Sequence, residues 1–335
     1  MIIVKNERIV ECDWIRALAA LLVVLYHYTS RYPTLFQSNI DFKISFTYGA
    51  AGVNIFFFLS GFLALHSLNE KTGCVNYVKR RIKRLYPEYW MSMLITTIFL
   101  LILLHELFPG WKIFLINISM LQGFCGIPNV DGAYWTLAYE IRFYLFIFFI
   151  IKLKQLKNVK KICILWLLLS IMVTFGMRFG NSLVIIRLMR YIIMPEFCAP
   201  FVAGIFVYFL RYQLDDILCY VGLVLSFFLS FFTQEYSYFV ALIAMTITMI
   251  IILLLRKNSY KYRKAIVKLS NIKHKPLTCV AQISYPLYLL HQYIGYAILQ
   301  NIENKNINNE IVIIFPILIA LTLAFIVNNI SRRMI

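Results

Sequence analysis

Charge is scarce in this sequence, and acid scarcest: 15 Asp and Glu stand against 33 Lys and Arg in 335 residues, and charged residues together make up 14%. Soluble domains carry about 25%. A chain that is also 61% hydrophobic, with a mean hydropathy of +0.76, is not a soluble globular domain but an integral membrane protein. Long polar stretches are missing as well. The longest, 69–87, 108–133 and 256–277, leave no room for a separate soluble domain of ordinary size, so residues 1–335 read as one membrane domain with nothing soluble appended. Cysteines are few and unpaired in spacing: Cys12, Cys74, Cys125, Cys163, Cys198, Cys219 and Cys279 form no C-x-x-C, so neither a disulfide framework nor a metal site is assigned. The opening "MIIVKNERIVEC" lacks the apolar stretch of a signal peptide, and the first span is expected to drive insertion itself. No internal repeat of the kind that marks many transporters is visible.

What the chain does have is apolar windows of spanning length, which needs about 20 residues. We read ten, at 12–30, 46–68, 88–107, 134–152, 161–179, 195–211, 215–232, 237–255, 278–300 and 310–330. In lipid, each backbone polar group must be satisfied within the chain, so these are predicted to be helices, giving an all-α polytopic bundle. The formal charge of +18 is not a nucleic-acid signal, because it alternates: 24 of the 33 basic residues fall before the first span, in every second loop and after the last span. That is the positive-inside pattern, with both termini cytoplasmic. The segment 108–133 is too short to span and carries Pro109, Gly123, Gly126 and Pro128, which suits a re-entrant or interfacial piece. In 181–194, Arg187 and Arg190 sit three apart on an apolar background, as on an interfacial helix.

Five segments carry chemistry. In "DWIRALAALLVVLYHYTSRY", Arg16 and His27 are eleven residues apart, which on an α-helix is three turns plus about 20°, on one face and about 16 Å apart. Asp13 sits three residues before Arg16, where it can pair with it as a structural partner. In "GAAGVNIFFFLSGFLALH", the small residues Ser60 and Gly61 suit close helix approach or a pocket wall. "YVKRRIKRLYPEYW" places Arg80, Arg81, Lys83 and Arg84 ahead of Pro87, which is read as starting the third span; this is either a headgroup anchor or a phosphate site. "DGAYWTLAYEIRFYLF" puts Glu140 about 9 Å below the start of the fourth span, with Trp135 and Tyr139 above it as interface anchors or pocket walls. "QISYPLYLLHQ" carries Tyr288 and His291 into the outer half of the ninth span. Ionisable groups at such depths cost about 2.5–3.5 kcal/mol each on the lenient insertion scale, and face a cavity or a partner.

These five segments, in this order and over nearly the whole chain, resemble the membrane-bound acyltransferase-3 family, whose members acylate sugars of surface polysaccharides, peptidoglycan, lipid-linked glycans and antibiotics. Arg16-x10-His27 is similar to the family's first-helix pattern, "GVNIFFFLSGFL" to its glycine-phenylalanine-serine-glycine motif, "RRIKRLYPEYW" to its basic loop, "YWTLAYEIRFY" to its Trp-Thr-Leu…Glu motif and "ISYPLYLLH" to its penultimate-helix motif. Ala17 stands where the family commonly has Gly, and Asn54 where many members have an acid. The resemblance implies an O-acyltransferase of a bacterial cytoplasmic membrane, taking acetyl from acetyl-CoA to a polysaccharide or lipid-linked glycan hydroxyl. On that reading His27 is the general base, Glu140 its orienting carboxylate, Arg16, Arg80, Arg81 and Arg84 bind acyl-CoA, and Ser60, Trp135, Tyr139, Tyr288 and His291 line the pocket. Acyl-CoA is a substrate and no cofactor is held permanently; membrane lipids, a glycan and a second copy of the chain are the expected partners. A covalent acyl-His27 intermediate is the alternative chemical route, and a glycan transporter or flippase the rival class.

Overall fold

A computed structural model describes residues 9–38, 40, 42–68, 72–179, 184–233, 238–254, 276–303 and 309–334. They form helices and connecting turns, with no strand among the described residues. The helices are α1 Val10–Tyr26, α2 Tyr32–Phe36, α3 Gly52–His66, α4 Cys74–Leu103, α5 Trp111–Asn117, α6 Trp135–Lys152, α7 Val159–Arg178, α8 Val184–Ile193, α9 Pro195–Tyr212, α10 Ile217–Thr233, α11 Tyr238–Leu254, α12 Pro276–Ile302, α13 Asn309–Val312 and α14 Ile314–Met334. A helix lies at each of the ten predicted windows. Among the described residues, six runs are long and apolar enough to cross a membrane: Thr47–His66, Cys74–Leu103, Gly132–Lys152, Leu156–Arg178, Val184–Tyr212 and Ile314–Met334. The expected polar stretch 256–277 lies, up to residue 275, outside the described residues.

Two expectations about boundaries need correction. Pro87 does not start the third span; it sits inside α4, a helix of 30 residues that begins at Cys74. The basic run is therefore the first turns of a long helix and not a loop. Pro87 has no N–H for the Lys83 carbonyl, a local loss that the continuing apolar helix tolerates in a membrane setting. The first window, 12–30, is not one α-helix either. The α-helix ends at Tyr26 and His27–Arg31 is a π-helical turn, in which the Tyr32 N–H reaches the His27 carbonyl. Pro33 follows it. Its ring would clash with the carbonyl four residues back in a regular α-turn, and a widened turn relieves that clash.

The chain divides into two compact units. The first comprises residues 1–16, 51–77 and 139–275, and α9 is its centre: α3, α7, α10 and α11 all pack against it. A helix apolar on every side belongs in such a position, and α9 is buried along nearly its whole length. At the α3–α9 crossing the backbones touch. A Cβ at Gly61 would lie 1.9 Å from the Phe201 carbonyl oxygen, and one at Gly204 would lie 2.0 Å from that of Phe58. The crossing thus depends on two residues without side chains. Phe143 stacks on Phe201 with ring centroids 4.3 Å apart. Near the end of α9, Arg211 reaches Glu11 at 2.5 Å and the Ile252 carbonyl at 3.0 Å, so this buried charge pair has a further acceptor for its donors.

The second unit comprises residues 17–50, 78–138 and 276–335. Within it α12 packs along α14 and against the π-turn after α1. The segment 108–133 does not span: it follows the 3-10 turn His105–Leu107, holds α5 and the 3-10 turn Gln122–Phe124, and runs into the 3-10 turn Gly132–Tyr134. One buried side chain ties it together. Asn117 donates to the carbonyls of Ile113 and Pro128 at 2.8 and 3.0 Å and accepts from the Val130 N–H at 3.1 Å, while Tyr89 donates to its carbonyl at 2.8 Å. Buried backbone outside regular helices needs such internal satisfaction.

Candidate functional site

The second unit brings His27, His291 and Tyr288 together, with residues the sequence reading did not single out. His27 opens the π-turn. Its Nδ1 lies 2.9 Å from the Val23 carbonyl oxygen and 3.2 Å from Nε2 of His291, and the two imidazoles meet edge to face, centroids 4.8 Å apart. The Nδ1 of His291 lies 2.7 Å from the Tyr288 carbonyl. His291 is completely buried, whereas His27 is half-buried.

Three clamps position His291. From α1's extension, Tyr28 donates its hydroxyl to the His291 carbonyl at 2.8 Å. That approach requires Gly295, since a Cβ there would lie 2.1 Å from the Tyr28 ring. From the start of α6, the hydroxyls of Thr136 and Tyr288 meet at 2.9 Å, and Tyr288 also reaches the Ala133 carbonyl at 3.1 Å. Between them, Asp131 accepts the N–H of Ala133 at 2.8 Å and that of Tyr293 at 3.0 Å, one on each carboxylate oxygen. Asp131 lies outside the spans and is fully buried. Burial pushes its carboxyl pKa up from 3.8 to about 7, against the opposing pull of the two N–H donors. An Asp just before an apolar run is a helix-start signal, and Asp131 does cap the turn before α6. Its second bond, to Tyr293, has no such local signal.

Beyond His291 along α12 the neighbours are aromatic: Tyr296 lies 6.2 Å from the His27 ring, 5.7 Å from Tyr32 and 5.6 Å from Phe36, centroid to centroid. Glu303 closes this side, accepting the Tyr32 hydroxyl at 2.8 Å and the Ser38 hydroxyl at 2.5 Å.

The remaining predicted residues fall elsewhere. Arg80, Arg81 and Arg84 stand on the first turns of α4, with Arg80 and Arg84 exposed and four apart, hence on one face. Trp135 is 39% exposed at the start of α6, as an interface anchor would be. Four more positions belong to the first unit. Arg16 pairs with Asp13 at 3.5 Å. Ser60 is half-buried beside Gly61 at the α3–α9 crossing. Tyr139 packs against Phe197, centroids 4.6 Å apart, and its ring lies 5.2 Å from the Arg142 guanidinium, which also covers Tyr191 at 4.1 Å. The Glu140 carboxylate accepts the Tyr144 hydroxyl. On α8, Arg190 pairs with Glu196 and Val184, Ile185, Leu188 and Ile192 are exposed; residues 181–183 of the expected interfacial segment lie outside the described residues.

Comparison with known proteins agrees with this arrangement of motifs. The acyltransferase-domain family matches residues 9–327. Among curated proteins the chain is similar to the acyltransferase MdmB of Streptomyces mycarofaciens, 27% identical over 30% of this chain and 27% of that protein. It is similar to the peptidoglycan O-acetyltransferase OatA of Listeria monocytogenes, 26% identical over 52% of this chain and 28% of that protein. A putative acetyltransferase, ORF330, of Acidianus two-tailed virus is 32% identical over 43% of this chain and 41% of its own. The chain thus spans less than half the length of the curated relatives it matches. No solved structure matches. The match over nearly the whole chain, on a multi-pass helical scaffold, makes this protein a member of the membrane acyltransferase-3 family.

Proposed function

We propose that this protein is an O-acyltransferase that moves an acetyl group from acetyl-CoA to a hydroxyl of a cell-surface or lipid-linked polysaccharide sugar, with His27 as general base. The observation that carries the reading is the half-buried His27 on a buried histidine partner, in a chain that matches an acyltransferase domain from residue 9 to 327. A neutral imidazole accepts the sugar hydroxyl proton as the sugar oxygen attacks the thioester carbonyl. The tetrahedral intermediate then expels the CoA thiolate, which recovers that proton from the imidazolium. On α4, Arg80, Arg81 and Arg84 offer guanidinium forks for the donor's phosphates, as does Arg16 at the other end of α1. On this reading the membrane is the bacterial inner membrane, the termini are cytoplasmic and the donor approaches from the basic, cytoplasmic side.

The test is mass spectrometry of the surface glycans of a strain lacking the gene, complemented with the wild type or with His27→Ala. An acetyl mass lost from an otherwise full-length glycan, and restored only by the wild type, supports transfer. Truncated or missing glycan indicates transport, and a fully acetylated glycan with His27→Ala at normal protein abundance overturns the base assignment.

A further inference from the structure

The geometry points to Nε2 of His27 as the reactive nitrogen, and we propose that His291 is the positioning residue that holds it in that state. The proposal rests on His27 acting as base. A carbonyl oxygen only accepts, so the 2.9 Å contact from His27 Nδ1 to the Val23 carbonyl places a hydrogen on Nδ1. The 2.7 Å contact from His291 Nδ1 to the Tyr288 carbonyl does the same for the second ring. In neutral His291 the Nε2 is then a lone pair, and it faces His27 Nδ1 at 3.2 Å. The His27 Nδ1 hydrogen is shared between two acceptors, the Val23 carbonyl and His291 Nε2. All three contacts of the pair are satisfied by this one assignment. The other tautomer of His27 would set two lone pairs against each other, at Nδ1 and the Val23 carbonyl, and a third from His291.

Two consequences follow for the chemistry. The lone pair of His27 is on Nε2, the opposite edge of the ring, which no group hydrogen-bonds among the described residues. When Nε2 takes the sugar proton, the positive charge spreads over the ring, and both bonds from Nδ1 become charge-assisted. His291 thus supplies, as a neutral group, the orienting and charge-stabilising contact that a carboxylate supplies to histidine in a catalytic triad. A neutral partner suits a site inside a membrane, where a buried carboxylate would need neutralising of its own. The Tyr28 hydroxyl on the His291 carbonyl ties this part of α12 to the π-turn after α1, and the Asp131 carboxylate on the Tyr293 N–H ties it to the turn before α6.

The full-length protein in lipid bilayers, labelled with 15N-histidine, gives a direct reading, because the chain has only 5 His and His27→Gln identifies its pair of signals. A pyridine-type Nε2 and a pyrrole-type Nδ1 on His27 are expected; a pyrrole-type Nε2 overturns the proposal. This readout is independent of turnover, so it stands apart from whether the protein transfers acetyl groups. Kinetics then test the partner, with acetyl-CoA as donor and the host's isolated cell-wall glycan as acceptor. His291→Ala should lower kcat at least about tenfold with KM unchanged, and His291→Gln, whose side-chain carbonyl accepts the Nδ1 hydrogen, should restore most of it. Equal loss in the two variants, or a loss that tracks protein abundance alone, overturns the positioning role.

Discussion

The Tyr28 hydroxyl donates a 2.8 Å hydrogen bond to the main-chain carbonyl of His291, 263 residues further along the chain. It does so from a ring seated against Gly295, where any side chain would collide with it. One contact therefore joins the turn that carries His27 to the helix that carries its histidine partner.

Removing that hydroxyl alone leaves the ring in place. Tyr28→Phe should cost about 0.5–1.5 kcal/mol, the net worth of a typical hydrogen bond, and reduce transfer without abolishing expression. Gly295→Ala displaces the ring itself and should cost more. The two sites share one contact, so Tyr28→Ala should partly relieve Gly295→Ala; thermal unfolding of the single and double variants in detergent measures the coupling.

At the α3–α9 crossing, Gly61→Ala and Gly204→Ala each force a Cβ into a facing backbone carbonyl. Overpacking of this kind costs about 1–3 kcal/mol. Both variants should show lower melting temperatures and lower membrane abundance, whereas Ser60→Ala next door should leave both within error.

Asp131 gives a pH dependence with a definite sign. Its carboxyl binds a proton more tightly when folded, at about 7 against 3.8, so its contribution to stability is greatest below pH 4 and declines as the pH rises towards 7. The advantage of wild type over Asp131→Asn in melting temperature should therefore shrink from pH 4 to pH 7. An advantage that grows over that interval contradicts the raised value.

The basic first turns of α4 predict a binding effect. Arg80→Gln and Arg84→Gln should each raise KM for acetyl-CoA several-fold to about tenfold with little change in kcat, as loss of uniform binding does. The effect should weaken at high salt, because both side chains are exposed. A fall in kcat at unchanged KM would move these residues from donor binding to another role.

Much of the architecture was legible because membrane helices announce themselves by length and hydropathy, and helices occur at all ten windows. The Asp13–Arg16 pair was legible for the same local reason, since three residues on a helix bring two side chains together. Boundaries were not. Pro87 reads as a helix start and lies inside α4, because a 30-residue helix can absorb one lost hydrogen bond. The π-turn at His27 was also missed, although Pro33 six residues on was its local cause.

By itself the sequence determined that this chain crosses a membrane as helices, which segments are apolar, and which ionisable groups are carried into them. Those properties depend on composition and on periods of a few residues. Only the tertiary structure decided that His27 meets His291, that Tyr28 and Gly295 fit one another, and that Asp131 caps one helix while holding another. These contacts join residues as far apart as Tyr28 and Gly295, and no short-range periodicity can specify them. They form because buried polar groups must find partners where packing brings the helices together.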